Sequence, residues 1–349
     1  MNILKNGNPF GAHRVIEPKG VLPQPAVRIS NDVDSIYDNE ILVDVETLNI
    51  DSASFTQIKQ AAGGDEEKIK AEILRIVSER GKMQNPVTGS GGMFIGRVAK
   101  IGPALDGKSE LKEGDKIASL VSLSLTPLKI ERILGIKKGT EQVNVKAKAV
   151  LFESGIYAKL PKDLPETLAL AVLDVAGAPA QVARLVKPGQ TVVIIGAAGK
   201  SGVLCAYEAR RRAGVTGKVI GIEYAPEAVG RIEEYGFCHE SVRADATNAV
   251  ECYEKIAALT GGKLADVVIN CVNVQNTEMA SILMCRDEGT VYFFSMATSF
   301  TKAALGAEGV GKDIDMIIGN GYTKGHAEVT LNILRESPEI RAAYEKLYA

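Results

Sequence analysis

The segment Thr191-Val-Val-Ile-Ile-Gly-Ala-Ala-Gly-Lys-Ser-Gly-Val203 constrains the fold more than any other part of the 349-residue chain. An apolar, β-branched run breaks into a glycine turn, and the following "GVLCAYEARRRAG" has the apolar period of a helix. Strand, glycine turn and helix in that order aim backbone N–H groups at a phosphate. The turn contains Gly-Lys-Ser, which raises the question of a triphosphate loop. Such a loop needs Gly, four residues of any kind, then Gly-Lys-Ser/Thr, so that the backbone wraps the β-phosphate. Ile194, inside the strand, stands where that first glycine belongs. The loop is too short for a triphosphate.

The spacing is instead Gly196-x-x-Gly199-x-x-Gly202, with Ala198, Lys200 and Ser201 between the glycines. This is a variant of the dinucleotide fingerprint: a tight turn, a close approach of backbone to pyrophosphate, and a close helix–sheet contact. Glu223 ends the next apolar run 21 residues after Gly202, where a carboxylate can accept hydrogen bonds from ribose hydroxyls. It would repel a 2′-phosphate, so NAD is expected over NADP, with NADP left open.

From about residue 160 to 320, short apolar runs alternate with amphipathic helical stretches, the pattern of a parallel sheet with crossover helices. "TVVIIG", "KVIGIEY", "ADVVINCV", "TVYFFSM" and "IDMIIGN" are the predicted strands of a doubly wound α/β domain. Ligands of such sheets sit at the C-terminal strand ends, which adds Asn270, Cys271, Val272, Ser295, Met296 and Ala297 to the expected cofactor contacts. The first half reads as antiparallel β, interrupted by one helix in "DEEKIKAEILRIVSERGK" with Ile69, Ile73, Ile76 and Val77 on one face and Gly81 as its stop. The expected division is residues 1–165, completed by a C-terminal helix over 325–349, and residues 166–324 as the dinucleotide-binding domain.

A net charge of -2 gives no bulk attraction to nucleic acid or to an anionic membrane. No apolar run is long enough to span a bilayer, and the N-terminus lacks the apolar core of a signal peptide, so a cytoplasmic protein acting on a small molecule is expected. The five cysteines are odd in number, lack metal-binding spacing, and begin only at Cys205.

"EILVDVETLNI", "GRVAKIG", "LKEGDKIASL" and "LVKPGQTVVIIGAAGKSG" together resemble the medium-chain dehydrogenase/reductase superfamily. The resemblance implies a Rossmann domain joined to a GroES-like β-barrel catalytic domain, and a homodimer formed through the edge strand "IDMIIGN". Zinc members of that superfamily hold their metal through a Cys, a His and a second Cys. In this chain Asp51, Gly92 and, by loose alignment, Asp174 fall in those slots, so no metal is expected. "SLTPLKIERI" and "DVAGAPAQVARLVKPGQ" most resemble an amine-oxidising branch whose members deaminate a 3,5-diamino acid in lysine fermentation.

A substrate with two ammonium groups and a carboxylate implies acidic partners and a base. Asp174 interrupts the apolar "LALAVLDVAGAPA", where burying an unpaired carboxylate is costly, so it must pair with a substrate ammonium or a structural partner. Asp51 is either an amine-binding or proton-transfer group, or a turn cap. Glu153 is a third candidate, with an edge-strand charge as the alternative. His326 reads as a helix-start histidine, and Arg97 and Lys302 are candidates for the substrate carboxylate. Two other functions share these features: a zinc-free quinone or enoyl reductase using NADPH, and a nucleotide-binding protein without turnover.

Overall fold

The computed structural model describes residues 2–137, 142–295, 297–319 and 321–348. Residue contacts divide the chain into two units, 1–162 and 163–349.

In the first unit, β1 (Glu40–Ile50), β2 (Gly92–Ile101), β3 (Lys116–Ser119), β4 (Leu128–Ile136), β5 (Gln142–Phe152) and β6 (Tyr157–Lys159) form an antiparallel sheet in the order β6-β3-β2-β1-β5-β4. β1 shows how sequence meets register. Ile41, Val43 and Val45 alternate into the core, and then the inward positions change parity to Leu48 and Ile50. The register of β1 shifts between Val45 and Thr47 against both neighbours. One extra residue there turns the following side chains to the opposite face, which lets the whole strand bury its apolar residues. Near its start, Glu40 is fully buried and accepts from Arg14 through both carboxylate oxygens at 2.6 Å and from His13 at 2.8 Å.

Two helices follow β1, where the sequence indicated one. α2 (Glu66–Arg80) is the expected helix: Asp65 caps it by accepting from the Lys68 N–H, Gly81 ends it in the left-handed conformation, and Ile69, Ile73, Ile76 and Val77 are buried. α1 (Ser52–Ala61) was not foreseen. Its "SASFTQIKQA" is rich in residues that favour caps and turns, and of its large apolar side chains only Phe55 and Ile58 are buried.

The second unit carries a six-stranded sheet in the order β9-β8-β7-β10-β11-β12, with β7 (Thr191–Ile195), β8 (Lys218–Glu223), β9 (Glu240–Arg243), β10 (Ala265–Asn270), β11 (Cys285–Phe293) and β12 (Ile314–Ile318) all parallel. β9, "ESVR", adds to the five strands expected from apolar runs; it is short, and three of its four residues are polar. Val193, Ile195, Ile220, Ile222 and Val268 enter one core, while Val192, Ile194, Val219, Val267 and Ile269 enter another. Burial on both faces requires near-continuous β-branched strands, which is what the sequence supplies. The strand order reverses between β7 and β10, so the loops leaving these two strands diverge and open a crevice at their C-terminal ends.

Helices α3 (Glu166–Leu173), α4 (Gly177–Leu185), α5 (Lys200–Ala213), α6 (Pro226–Tyr235), α7 (Ala249–Thr260), α8 (Glu278–Met284) and α9 (Phe300–Gly309) accompany the sheet. The expected C-terminal helix is two, α10 (His326–Glu336) and α11 (Pro338–Tyr348), because Pro338 lacks an N–H and Ser337 caps the new start through Ile340 N–H. Both fall in the second unit. α10 packs on α3, α4 and α5, and α11 on α3, all within the second unit. The buried face of α10, including Thr330, Leu331, Ile333 and Leu334, covers apolar helices there, and Thr330 donates to the Ala176 carbonyl at 3.3 Å.

Candidate functional site

The glycine turn leaves β7 at the crevice. Gly196 has φ 83°, donates to the Ile222 carbonyl at 2.9 Å, and turns the chain so that Gly199 donates back to Gly196 at 3.1 Å. A Cβ on Gly202 would lie 1.8 Å from the Gly196 carbonyl oxygen, and one on Gly196 would lie 2.7 Å from Val272 Cγ1. First and third glycines are therefore fixed by steric contact. Gly199 is the N-cap of α5 and supplies no side-chain acceptor, so the helix starts without a side-chain cap, the kind of end that suits an anion.

Glu223 ends β8, and its Oε1 accepts from the Ala198 N–H at 2.9 Å. Burial raises its pKa above the ordinary value, against the Ala198 N–H, which lowers it. A cavity of about 370 Å³ opens beside it, walled by Ile195, Ile222, Tyr224, Val272 and Val274. Tyr224 and Val274 are exposed there, apolar faces suited to a flat heterocycle. An uncapped helix start, a carboxylate at the end of the neighbouring strand and an apolar slot beside them fit an adenine dinucleotide.

Lys200 and Ser201 open α5. Lys200 Nζ bonds Asp174 Oδ2 at 2.7 Å, and the Tyr344 hydroxyl of α11 donates to the Lys200 carbonyl. Asp174 is consequently not the buried carboxylate that its apolar surroundings implied. α3 ends at Leu173, Asp174 is its C-cap, and its side chain is half exposed. Asn270 also differs from expectation: its fully buried side chain donates to Thr277 and Ser281 and accepts from the Val272 N–H, so it shapes the loop and presents no free group. That bond places Val272 in the crevice, while Cys271 sits with its Sγ 3.9 Å from that of Cys205. Ser295 accepts from the Ala297 N–H at 3.1 Å, and Met296 lies outside the described residues. Thr298 Oγ1, next along, is buried without a hydrogen-bond partner. His326 is a buried helix-start residue whose pKa is lowered by burial, and Lys302 bonds Asn276 at 2.5 Å.

In the first unit Asp51 is exposed, caps α1 by accepting from the Ala53 N–H at 3.0 Å, and donates its own N–H to the Gly91 carbonyl at 3.2 Å. The cap reading is thus correct as far as local structure goes, and it leaves the carboxylate accessible. Glu153 does not join it. Glu40 pairs with Phe152 at one end of β1 and Asn49 with Gln142 at the other, so Glu153 and Asp51 lie beyond opposite ends of the strand. Asn39 and Lys108 hold Glu153, and these partners lower its pKa. Arg97 is paired with Glu46.

Sequence reading missed what surrounds Asp51. Buried Ser54 shares short hydroxyl contacts with Thr88, 2.5 Å, and Ser90, 2.6 Å, while Asn85 bonds the Ser54 carbonyl. The hydroxyl-rich strings "DSAS" and "NPVTGSGG" are the only signal, and it takes the Asp51–Gly91 bond to bring them together. Lys82 was missed as well. Fully buried, it donates to the Pro23 and Gln24 carbonyls at 2.6 and 3.0 Å, and burial pushes its pKa down to about 7.

The donor set does not fit catalytic zinc. Gly92 has φ +113°, and a Cβ there would lie 2.1 Å from the Asn49 carbonyl and 2.8 Å from Asp51 N, so the slot admits no imidazole. Among the described residues no three His, Cys, Asp or Glu side chains gather as a metal-binding group.

Residues 13–161 match the family model of the L-erythro-3,5-diaminohexanoate dehydrogenase N-terminal domain. The chain is 64% identical over 342 residues, 98% of its length and 99% of the relative's, to L-erythro-3,5-diaminohexanoate dehydrogenase of Acetoanaerobium sticklandii. It is 61% identical over 345 residues, 99% of its length and 100% of the relative's, to the enzyme of that name from Fusobacterium nucleatum. Among solved structures it resembles a mycobacterial quinone oxidoreductase, with TM-score 0.53 and 17% identity, covering 85% of this chain and 81% of that one. That likeness supports the mixed α/β fold, with a parallel sheet and a separate antiparallel one. By its identity to these relatives over nearly its whole length, the chain belongs to the family of L-erythro-3,5-diaminohexanoate dehydrogenases.

Proposed function

We propose that the protein catalyses the NAD-dependent oxidative deamination of L-erythro-3,5-diaminohexanoate to 5-amino-3-oxohexanoate and ammonia, a step of lysine fermentation. The observation that carries this is the 64% identity over 98% of the chain to a dehydrogenase of that name. Loss of hydride from C3 turns the C3 amine into an iminium; water adds to it, ammonia leaves, and the balance is one water consumed and one proton released. The nicotinamide supplies the hydride acceptor. The α5 N-terminus and Lys200 bind its pyrophosphate, Glu223 binds the adenosine ribose and disfavours a 2′-phosphate, and Val272, Ser295 and Thr298 line the nicotinamide ribose. Asp174 binds a substrate ammonium, and Asp51 takes the proton released from the amine or the attacking water.

No metal takes part in this reading, because the zinc slots hold Asp51 and a glycine without room for a side chain. The protein is a cytoplasmic homodimer joined through β12, whose Ile318 is exposed on a sheet edge. Among the described residues no single helix is long and apolar enough to cross a membrane.

The test follows the reduced cofactor by absorbance with the diamino acid plus NAD, and in parallel with quinones or enones plus NADPH. Turnover with the diamine that survives exhaustive chelation is expected. No signal with the diamine, or a signal only with quinones, would refute the proposal.

A further inference from the structure

Lys200 and Asp174 each stand where helix electrostatics disfavour them. Lys200 is the first residue of α5, a cation at the positive end of the helix dipole. Asp174 is the C-cap of α3, an anion at a negative end. Their 2.7 Å ion pair offsets both misplacements. A residue pair that breaks two local rules at once is expected at a functional position. The backbone of Lys200 is meanwhile held from the other side: fully buried Tyr344 donates to its carbonyl, and further along α5 Arg211 bonds Glu336 of α10 at 2.8 Å. The phosphate helix is thus anchored while the lysine side chain, 31% exposed, keeps its rotatable bonds.

We infer that Lys200 is handed from Asp174 to the cofactor's pyrophosphate on binding, so that Asp174 is a competitor for the cofactor's cation and sets cofactor affinity from below. This rests on the dinucleotide reading of the glycine turn. In the free protein Asp174 neutralises Lys200. When a pyrophosphate occupies the α5 N-terminus it offers two negative charges in line with the helix dipole, and the ammonium moves to them by side-chain rotation alone. The move leaves Asp174 without its cation, which is the state in which it would accept a substrate ammonium. No bond forms or breaks in the handover; only an ion pair is exchanged.

The experiment is calorimetric titration of the full-length protein with ADP-ribose, which carries the pyrophosphate, and with adenosine, which does not. Lys200→Met should weaken ADP-ribose roughly 10-fold. Asp174→Asn should tighten it about 2- to 5-fold, since an exposed pair is worth little. Adenosine should be unaffected by either change, and the tightening should shrink in the double variant. Weaker ADP-ribose binding by Asp174→Asn would overturn the inference, because the carboxylate would then be aiming the lysine at the phosphate instead of competing for it. An equal change for adenosine would overturn it too, by showing a general distortion. If the unmodified protein bound no ADP-ribose, the dinucleotide reading would fail and the handover with it, an outcome distinct from a wrong sign in the variant.

Discussion

The glycine turn of the second unit and the Asp51 region of the first are built on opposite principles. The turn occupies one stretch of seven residues, Gly196 to Gly202, and its partner Glu223 follows one crossover later. Its geometry is local, so spacing alone exposes it. Around Asp51, by contrast, the end of β1, the start of α1 and the loop at 85–92 meet only through long-range bonds such as Asp51 to Gly91 and Asn85 to Ser54. Chemistry made from distant segments leaves little trace along a sequence. A local motif is legible from spacing alone, whereas a cluster assembled by long-range bonds has to be read from contacts.

Four measurements would break or sharpen this contrast, beginning with the largest effect. Glu40→Gln severs the buried pair with Arg14 and should cost about 3–5 kcal/mol in urea unfolding. Its carboxyl lies below its ordinary pKa: burial opposes this, but the bonds from Arg14, His13 and the Tyr37 N–H outweigh it. The stabilisation is therefore complete above the unfolded-state value and is lost as pH falls through the folded-state value, so the variant should have a flatter acid limb. Cofactor affinity, which the proposed function assigns to the second unit, should be unchanged under native conditions; a matching loss would show that the two regions are not separable.

Asp51→Asn should lower kcat/KM for the diamino acid about 100-fold or more. Asn caps helices nearly as well as Asp, so the thermal midpoint should hardly move. Full activity would make Asp51 a cap and nothing else. Gly202→Val forces a side chain onto the Gly196 carbonyl and should destabilise the protein by about 1–3 kcal/mol while NAD binding becomes undetectable by titration. Retained binding would deny that the third glycine is sterically required. The smallest effect is expected of Glu223→Ala, which should narrow the preference for NAD over NADP by about 10-fold in kcat/KM. An unchanged ratio would place ribose recognition elsewhere.

The parallel strands were legible because both faces are buried and the apolar runs are continuous. α1 was not, since Phe55 and Ile58 are too few to set a helical period. Asp174 misled because "LALAVLDVAGAPA" reads as one apolar stretch, although the chain bends there: α3 ends at Leu173 and α4 begins at Gly177. An acidic residue at such a break reaches solvent without passing through the core. Asn270 misled in the reverse sense. A polar residue at a strand end looks like a ligand contact until Thr277 and Ser281, seven and eleven residues onward, are found to use up its donors. Glu153 was misplaced because no local feature reports which end of a long strand pair a residue occupies.

Gly92 also bears on how such a site can change with time. At the position where the superfamily resemblance implies an imidazole ligand, the Asn49 carbonyl stands against Gly92, whose backbone angle suits glycine. An imidazole introduced there by a single substitution would collide with main chain, so it requires rebuilding the β1–β2 pairing first. A position hemmed in by main chain on this scale admits a new side chain only after the strand pairing around it has changed.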